Sequence, residues 1–245
     1  MEATAELIPY DDALRARVAR HLAAHDRREV PLDGRRHAAV AVVLVDSEQG
    51  EDRVDPHAWG EGEMDVIPGG PGDLDGRMVD VAGGAAFLLC RRASRLNRHA
   101  AQWALPGGRV DPGEDVVTAA LRELDEELGV SLDEGSVLGL LDDYATRSGY
   151  VMTPVVVWGG GPLDLRPAPD EVRAAYRVGL HNLQRPDSPR FVSIPESDRP
   201  VVQIPLGGDL IHAPTGAVLL QLRWLGLEGR PDPVGHLEQP VFAWG

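Results

Sequence analysis

Short apolar runs alternate with amphipathic segments along the chain, which predicts strands interleaved with a few helices. Apolar residues recur at helical spacing within residues 11–24 and predict a first helix, and four almost wholly apolar runs predict buried strands. These runs are residues 38–45, 85–90, 137–141 and 151–158. Residues 172–183 predict a strand and then the start of a helix, and residues 215–224 a closing helix with Thr215 as its N-cap. The pattern therefore predicts an α+β or α/β sandwich.

Two regions depart from this alternation. Residues 47–84 contain many Gly, Asp, Glu and Pro and few apolar residues, which predicts a long insertion between two strands. Residues 225–245 follow the last predicted helix and form a C-terminal arm that is suited to packing on a partner subunit. We expect a lead-in with one helix over residues 1–35 and one main domain over residues 36–224.

A further helix is predicted over residues 116–128, and it carries two different stripes. The apolar stripe, which a core would cover, consists of Val117, Ala120, Leu121, Leu124 and Leu128. Glu123, Glu126 and Glu127 stand at i, i+3 and i+4 and form an acidic stripe that faces outward or into a cleft. Gly129 is a suitable residue to end the helix.

The acidic stripe carries a cost that a cation would remove. Neighbouring carboxylates repel one another, so an isolated helix gains nothing from the arrangement. Mg²⁺ and Mn²⁺ bind carboxylate oxygen and keep waters that a phosphate substrate can replace. The preceding loop, residues 105–113, is rich in glycine, which lets the backbone approach an ion or a phosphate. The segment is therefore typical of a divalent-metal phosphate enzyme, and the alternative is a solvated acidic face.

Composition and charge narrow the class of protein. The chain has 245 residues, of which 43% are hydrophobic and 26% are charged, as in soluble globular proteins. Its net charge of -15 disfavours binding to nucleic acid and to anionic membranes. The N-terminus lacks the basic start and apolar core of a signal peptide, and no apolar run approaches the roughly 20 residues of a membrane span. We therefore expect a cytoplasmic protein without nucleic-acid or membrane partners.

The cysteine and histidine content argues against two further classes of site. Cys90 is the single cysteine, which excludes an internal disulfide and a cysteine-rich zinc site. It lies in the apolar run 85–90 and is predicted to be a buried strand residue. The eight histidines are scattered without ligand spacing, so zinc hydrolysis is disfavoured.

The segment of residues 108–130 resembles the Nudix box. That pattern reads Gly, five residues, Glu, seven residues, Arg-Glu-aliphatic-any-Glu-Glu-any-Gly-aliphatic. Its positions are matched here by Gly108, Glu114, Arg122, Glu123, Leu124, Glu126, Glu127, Gly129 and Val130. The resemblance covers about residues 36–224 and implies the Nudix fold, an α/β/α sandwich with a mixed, partly curled sheet between helices.

The same resemblance implies roles for individual residues. The metal ligands would be Gly108, through its carbonyl, and Glu114, Glu123, Glu126 and Glu127, which together would hold one or more Mg²⁺ or Mn²⁺ ions. Arg122 would orient the carboxylates. The general base would be a box glutamate or a carboxylate of a later loop, for which Glu171 is the candidate, ahead of Asp142 and Asp143. Many Nudix enzymes are dimers, so a homodimer is expected by analogy.

A local basic patch precedes the box and suggests a substrate. Its arginines, Arg91, Arg92, Arg95 and Arg98, predict contacts to substrate phosphates on an otherwise acidic protein, although solvated arginines are the alternative. The stretch resembles the motif of Nudix coenzyme A pyrophosphatases, and the matching residues are Leu88, Leu89, Arg92, Ala93, Pro106, Gly107 and Gly108. Cys90, Asn97, Ala101 and Leu105 stand where that motif has Thr, Arg, Gly and Phe.

Three functions are compatible with these features. The resemblance implies hydrolysis of the P–O–P bond of coenzyme A or an acyl-coenzyme A, which gives 3′,5′-ADP and 4′-phosphopantetheine. An ADP-ribose or NADH pyrophosphatase is the alternative within the same class. A Nudix-like module that binds a nucleotide without turnover is the alternative from another class, and the intact set of box glutamates argues against it.

Overall fold

A computed structural model describes residues 6–48, 81–93, 102–161 and 163–244. The helices are α1 (Asp12–Ala23), α2 (Val116–Leu128) and α3 (Thr215–Gln221). The strands are β1 (Arg36–Ser47), β2 (Gly84–Arg92), β3 (Trp103–Ala104), β4 (Gly107–Arg109), β5 (Val137–Leu140), β6 (Tyr144–Ala145), β7 (Tyr150–Trp158), β8 (Val172–Gly179), β9 (Arg190–Ile194), β10 (Ser197–Leu206) and β11 (Asp209–His212). The predicted helices and strands up to residue 184 are confirmed, including a 3₁₀ turn at Leu180–Gln184 directly after β8.

The main sheet is mixed and is organised around β1. Strand β1 pairs in parallel with β7 and antiparallel with β2 and β4, and β8 pairs with the other edge of β2. The path through the described strands is β3-β2-β1-β7-β5. Because β1 is buried on both faces, its apolar run is nearly continuous, as the sequence predicted.

Helices cover both faces of this sheet. Alternate side chains of β1 point to opposite faces, so Ala39, Ala41 and Val43 pack with α2, whereas the residues between them pack with α1 and α3. The apolar stripe of α2 is buried, with Leu124 and Leu128 fully covered. The predicted α+β class and α/β/α arrangement are thus confirmed. Among the described residues, no helix is long and apolar enough to cross a membrane.

The region after residue 184 differs from the prediction. Strands β9, β10 and β11 form a second, antiparallel sheet that the sequence pattern did not indicate. The closing helix ends at Gln221 and continues as a π-helix over Leu222–Leu227. The predicted N-cap at Thr215 is wrong, because Pro214 takes the cap position and the Thr215 hydroxyl donates to the Trp103 carbonyl at 3.1 Å.

The C-terminal segment, residues 231–244, packs on its own chain. Val234 and Leu237 are buried in a cluster with Tyr144, whose hydroxyl donates to the Leu237 carbonyl at 3.0 Å. Glu238 is 1% exposed and is paired with Arg147. In the arm that was expected to pack on a partner subunit, these apolar residues therefore make contacts within the chain. The predicted insertion lies mostly outside the described residues, which include only its two ends.

Candidate active site

Helix α2 is held at both ends by its own sequence. The Asp115 carboxylate accepts from the backbone N–H groups of Val117 and Thr118, each at 2.9 Å, and so caps the N-terminus. Gly129 ends the helix in the left-handed conformation at φ 66°, where a residue without Cβ is favoured. The helix is therefore fixed in length and position, and its acidic stripe is presented next to β4.

Arg122 connects three of the four box glutamates. Its guanidinium donates to Glu114 through Nε at 3.0 Å and Nη2 at 3.1 Å, and through Nη1 to Glu123 and Glu126, each at 2.9 Å. Nη2 also donates to the Arg109 carbonyl at 3.0 Å, which ties the helix to β4. Hydrogen bonding from Arg122 is the main cause that lowers the pKa of Glu114. This geometry is what the predicted orienting role of Arg122 requires.

Gly108 lies directly against the Glu123 carboxylate. A Cβ added at Gly108 would stand 2.2 Å from Glu123 Oε1, so any side chain at this position would displace the carboxylate. The structure thus brings together Gly108 and Glu123, two residues predicted as metal ligands. Burial, followed by the proximity of other carboxylates, raises the pKa of Glu123 despite the hydrogen bond from Arg122.

Glu127 belongs to the buried side of α2 and is only 6% exposed. The loop before β8 lies against this end of α2, since the N–H of Ala168 donates to the Glu127 backbone carbonyl at 2.8 Å. Burial raises the pKa of Glu127 to about 8, with Arg92 opposing the shift and Glu123 and Glu171 adding to it. Of the two orientations predicted for the acidic stripe, outward or into a cleft, the outward one is wrong for Glu127, since helical spacing alone does not reveal what packs against the helix.

Glu171 stands at the edge of this carboxylate group. The residue is exposed, and its carboxylate contributes to the raised pKa values of both Glu123 and Glu127. Its backbone carbonyl accepts from the N–H of Ala93 at 2.8 Å, which fixes the loop to the end of β2. The predicted base candidate is therefore close enough to Glu123 and Glu127 for its charge to act on both.

The donor set fits a divalent metal ion by its chemistry. Oxygen donors suit hard cations, and partly buried carboxylates with raised pKa values gain stability when a cation offsets their repulsion. As the side chains stand, no three His, Cys, Asp or Glu residues of the described chain converge in a metal-holding arrangement. The residues that would hold the ion are Glu123, Glu126, Glu127, Glu114 and Gly108.

A cleft of about 470 Å³ opens on the face of the sheet opposite α2. Arg36, Ala38 and Val40 of β1 line it, and these residues alternate with the ones that pack on α2. The cleft reaches Gly107 and Gly108, so it meets the carboxylate group at β4. Gln239 and Ala243 of the C-terminal segment also line it. A ligand in the cleft can therefore present one end to the box glutamates.

The structure separates the arginines of the predicted basic patch. Arg92 lines the cleft, as a phosphate contact would. Arg91 points away: its side chain is 0% exposed, its Nη1 lies 2.5 Å from Asp209 Oδ2, and its guanidinium stacks 3.7 Å from the Trp103 ring centroid. This placement contradicts the substrate-contacting role expected for Arg91, because successive strand residues face opposite directions. Arg95 and Arg98 lie outside the described residues.

Asp142 and Asp143, the weaker candidates for the general base, have structural roles. Asp142 lies 2.6 Å from His25 Nε2 and accepts from Arg28 at 2.8 Å, and Asp143 accepts from Arg27 at 2.5 Å. These pairs fasten the segment between α1 and β1, so neither carboxylate is available to a cleft ligand. The predicted burial of Cys90 is confirmed at 2% exposure, and burial raises the pKa of its thiol.

Several cleft residues were missed by the sequence reading. They are Arg36, Trp103, Arg109, Tyr150 and Met152. The alternation of side chains along a strand could have indicated Arg36 from the sequence, since it puts Arg36 on the same face of β1 as Ala38 and Val40. Which strands lie beside β1 could not be read from local pattern.

The comparisons agree with this site. Residues 77–194 match the family model described as the NUDIX domain. The match includes β4, α2 and Glu171. The resemblance stated for the box is thereby confirmed, whereas the coenzyme A pyrophosphatase subgroup is not singled out.

The chain is similar to curated proteins from two Yersinia species. It is 37% identical over 96 residues to an uncharacterized Nudix hydrolase NudL of Yersinia pestis (strain Pestoides F), and equally to that of Yersinia pseudotuberculosis serotype O:1b (strain IP 31758). The match covers 39% of this chain and 48% of each relative. The chain thus spans about half the length of the curated relatives it matches.

Solved structures show a weaker similarity. A MutT/nudix family protein from Enterococcus faecalis is 16% identical with a TM-score of 0.48, over 88% of this chain and 73% of that chain. The binary complex of an Ap4A hydrolase from C. elegans is 18% identical with a TM-score of 0.38, over 61% of this chain and 86% of that chain. Similarity at this level does not bear on the substrate.

Proposed function

We propose that the protein is a metal-dependent diphosphatase that hydrolyses the P–O–P bond of a nucleoside diphosphate derivative. The observation that carries the proposal is the arrangement of the box: Arg122 holds Glu114, Glu123 and Glu126, while Glu123 lies against Gly108 at the end of a cleft. A site with four carboxylates, an orienting arginine and an adjoining cleft has the parts that metal-assisted phosphoryl chemistry needs.

The box glutamates would hold the ion or ions, with Mg²⁺ or Mn²⁺ as the expected metals. When bound, such an ion neutralises charge on the phosphoryl oxygens and lowers the pKa of an attacking water. Arg122 keeps the carboxylates in place through four hydrogen bonds from its planar guanidinium, which a point charge would not do. Arg92 contacts the diphosphate from the cleft side.

Glu171 is the proposed general base. The support for this role is that Glu171 is exposed and that its charge raises the pKa of both Glu123 and Glu127. Its carboxylate accepts the proton of the attacking water, and the displaced phosphate leaves into the cleft. Glu127, whose pKa is raised to about 8 by burial, is the competing acceptor within the box.

Coenzyme A or an acyl-coenzyme A is the proposed substrate, with 3′,5′-ADP and 4′-phosphopantetheine as products. The support is the partial motif before the box and the arginines of the cleft, Arg36, Arg92 and Arg109. ADP-ribose and NADH are the competing substrates, because they carry the same diphosphate and would fill the inner part of the cleft equally well.

Product analysis by mass spectrometry tests the proposal. The purified protein is incubated with Mg²⁺ or Mn²⁺ and with coenzyme A, an acyl-coenzyme A, ADP-ribose, NADH and oxidised dGTP in separate reactions. Glu126→Gln is the test variant, because the side chain is exposed and its loss should leave the fold intact. Glu134→Gln is the matched control, since this glutamate is exposed and lies outside the site.

The outcomes separate the alternatives. Release of 3′,5′-ADP from coenzyme A by the wild type and by Glu134→Gln, but not by Glu126→Gln, is the expected result. Turnover of ADP-ribose or NADH instead would keep the diphosphatase and overturn the coenzyme A substrate. Binding of nucleotide without turnover of any compound would favour the non-catalytic module.

A further inference from the structure

The cleft has an outer end that the box does not explain. Its floor is a ladder of neighbouring strand residues: Val40 pairs with Gly107 at the inner end, and Arg36 pairs with Tyr150 at the outer end. Both pairs face the cleft. At about 3.3 Å per strand residue, the outer end lies about 13 Å from the inner end along β1. A ligand with its diphosphate at Gly107 and Gly108 therefore extends its other half toward Tyr150.

Two arginines are organised by Tyr150 at this outer end. The Arg36 guanidinium stacks on the ring at 4.1 Å from its centroid, and Arg109 Nε donates to the phenol oxygen at 3.1 Å. Stacking and the hydrogen bond restrict two long side chains that would otherwise sample many rotamers. The cost of ordering them is therefore met before a ligand arrives.

Neither arginine is neutralised by a carboxylate. Among the described residues, no ion pair includes Arg36 or Arg109. Other arginines are paired, such as Arg147 with Glu238 and Arg223 with Glu228. On a chain with a net charge of -15, two unpaired guanidinium groups on one ring are a local excess of positive charge. Guanidinium groups bind phosphate by paired hydrogen bonds.

Hydroxyl groups complete the outer end. Thr146 and Ser148 line the cleft beside Tyr150, and their oxygens lie 3.1 Å apart in the turn between β6 and β7. The Thr146 hydroxyl accepts from the backbone N–H of Tyr150 at 3.0 Å, which holds the turn and the ring together. The turn is also fixed to the C-terminal segment, because the N–H of Arg147 donates to Gln239 Oε1 at 2.6 Å.

We infer that Arg36 and Arg109, held on Tyr150, form a second anion subsite that binds a phosphomonoester on the nucleoside half of the substrate. The inference rests on the proposed function, because it assumes that the diphosphate lies at Gly107 and Gly108. It deepens that function by naming the feature that the enzyme selects: a phosphate separate from the scissile diphosphate. The discriminating residues are therefore in β1, β4 and β7 and not in the arginine patch that precedes the box.

Equilibrium binding tests the subsite without relying on turnover. Isothermal titration calorimetry compares 3′,5′-ADP with 5′-AMP, two nucleotides that differ by one phosphomonoester. We expect the wild type to bind 3′,5′-ADP at least about 10-fold more tightly, since two charge-assisted contacts are gained. Arg36→Ala should reduce this ratio to about 1 to 3, and Arg36→Lys should restore part of it because the charge is kept and the planar fork is lost.

Arg35→Ala is the matched control. It removes the same charge one residue away, from a side chain that is exposed and does not line the cleft. It should keep the wild-type ratio. Circular dichroism and melting temperature of each variant show whether the fold is retained, and Arg109→Ala provides a second variant from a different strand.

The kinetic comparison uses coenzyme A and dephospho-coenzyme A, which share the scissile diphosphate. A wild-type preference in kcat/KM for coenzyme A that disappears in Arg36→Ala supports the subsite. Equal kcat/KM for the two compounds, unchanged by Arg36→Ala, would overturn the subsite and leave the proposed function standing. Selective binding of 3′,5′-ADP without turnover of either compound would support the subsite and overturn the proposed hydrolysis.

Discussion

The guanidinium of Arg122 and the carboxylate of Glu114 form a bidentate ion pair, with Nε and Nη2 at 3.0 and 3.1 Å from the two carboxylate oxygens. The pair joins helix α2 to the loop in front of it. Because Nη1 also reaches Glu123 and Glu126, a single side chain determines the relative positions of three carboxylates. Planarity and the fixed spacing of the donors, and not charge alone, make this possible.

Replacing Arg122 by Lys tests this relationship. An ammonium group keeps the charge but cannot form the paired contact with Glu114 while it reaches Glu123 and Glu126, so we expect kcat to fall about 10- to 100-fold and Mn²⁺ to bind more weakly. Arg166→Lys is the control, because Arg166 forms an exposed pair with Asp164 outside the site. Wild-type kcat and Mn²⁺ affinity in Arg122→Lys would show that the orienting role is not needed.

Glu127 should make the stability of the metal-free protein depend on pH. Its folded pKa of about 8 lies above the ordinary value of 4.5, mainly through burial. The folded protein therefore holds this proton between these values while the unfolded chain has released it. The contribution of this proton to the free energy of unfolding is full below about pH 4.5. It is on the order of a few kcal/mol and is lost as pH rises through about 8.

Urea unfolding in EDTA at pH 5, 7 and 8.5 measures this effect. Glu127→Gln should lose most of the decline between pH 5 and 8.5, since an amide does not titrate, whereas the exposed Glu126→Gln should keep it. A decline of the same size in both variants would assign it to other groups.

Metal should stabilise the protein more at high pH than at low pH. A proton on Glu127 competes with a cation for the same oxygens, so the rise in melting temperature caused by Mn²⁺ should grow between pH 6 and pH 8.5. Glu127→Gln should reduce that rise at pH 8.5. Mg²⁺ in place of Mn²⁺, and chelation followed by re-addition, check that the effect is specific and reversible.

Glu171 and its neighbour Asp170 allow a matched test of the general base. Glu171→Gln should lower kcat at least about 10-fold and alter the acidic limb of the pH–rate profile, with little change in melting temperature because the side chain is exposed. Asp170→Asn, one residue away and also exposed, should leave the profile unchanged. An unaltered profile in Glu171→Gln would move the role to a box carboxylate.

Arg91 and Arg92 are adjacent in sequence, but their replacement by Ala should affect different properties of the protein. Arg91→Ala removes the partner of buried Asp209 and should destabilise the fold by about 3–5 kcal/mol, with little effect on KM at low temperature. Arg92→Ala should leave the fold intact and raise KM, because Arg92 lines the cleft. Thermal unfolding and steady-state kinetics on both variants distinguish these outcomes. A raised KM for folded Arg91→Ala would restore its predicted substrate contact.

The sequence by itself determined the local parts of this protein. Helix α2 begins and ends at the predicted residues, Val116 and Leu128, because apolar periodicity and a C-terminal glycine act within a few residues of chain. Strands β1 and β7 were predicted for the same reason, as continuous apolar runs. Glu123, Glu126 and Glu127 could be named because their spacing along one helix already fixes their relative positions, whereas Glu114 and Arg122 were named from the resemblance to the Nudix box.

Only the tertiary structure decided what those parts meet. Strands β9 to β11 were missed: Pro200 and Pro205 interrupt the alternation of β10, and β9 and β11 are short, so pairing between strands supplies the order that local pattern lacks. The burial of Glu127 and of Arg91 depends on loops and strands distant in sequence. Arg36 and Tyr150 become neighbours through the parallel pairing of β1 with β7. Such contacts arise from long-range packing, which no short window of sequence encodes.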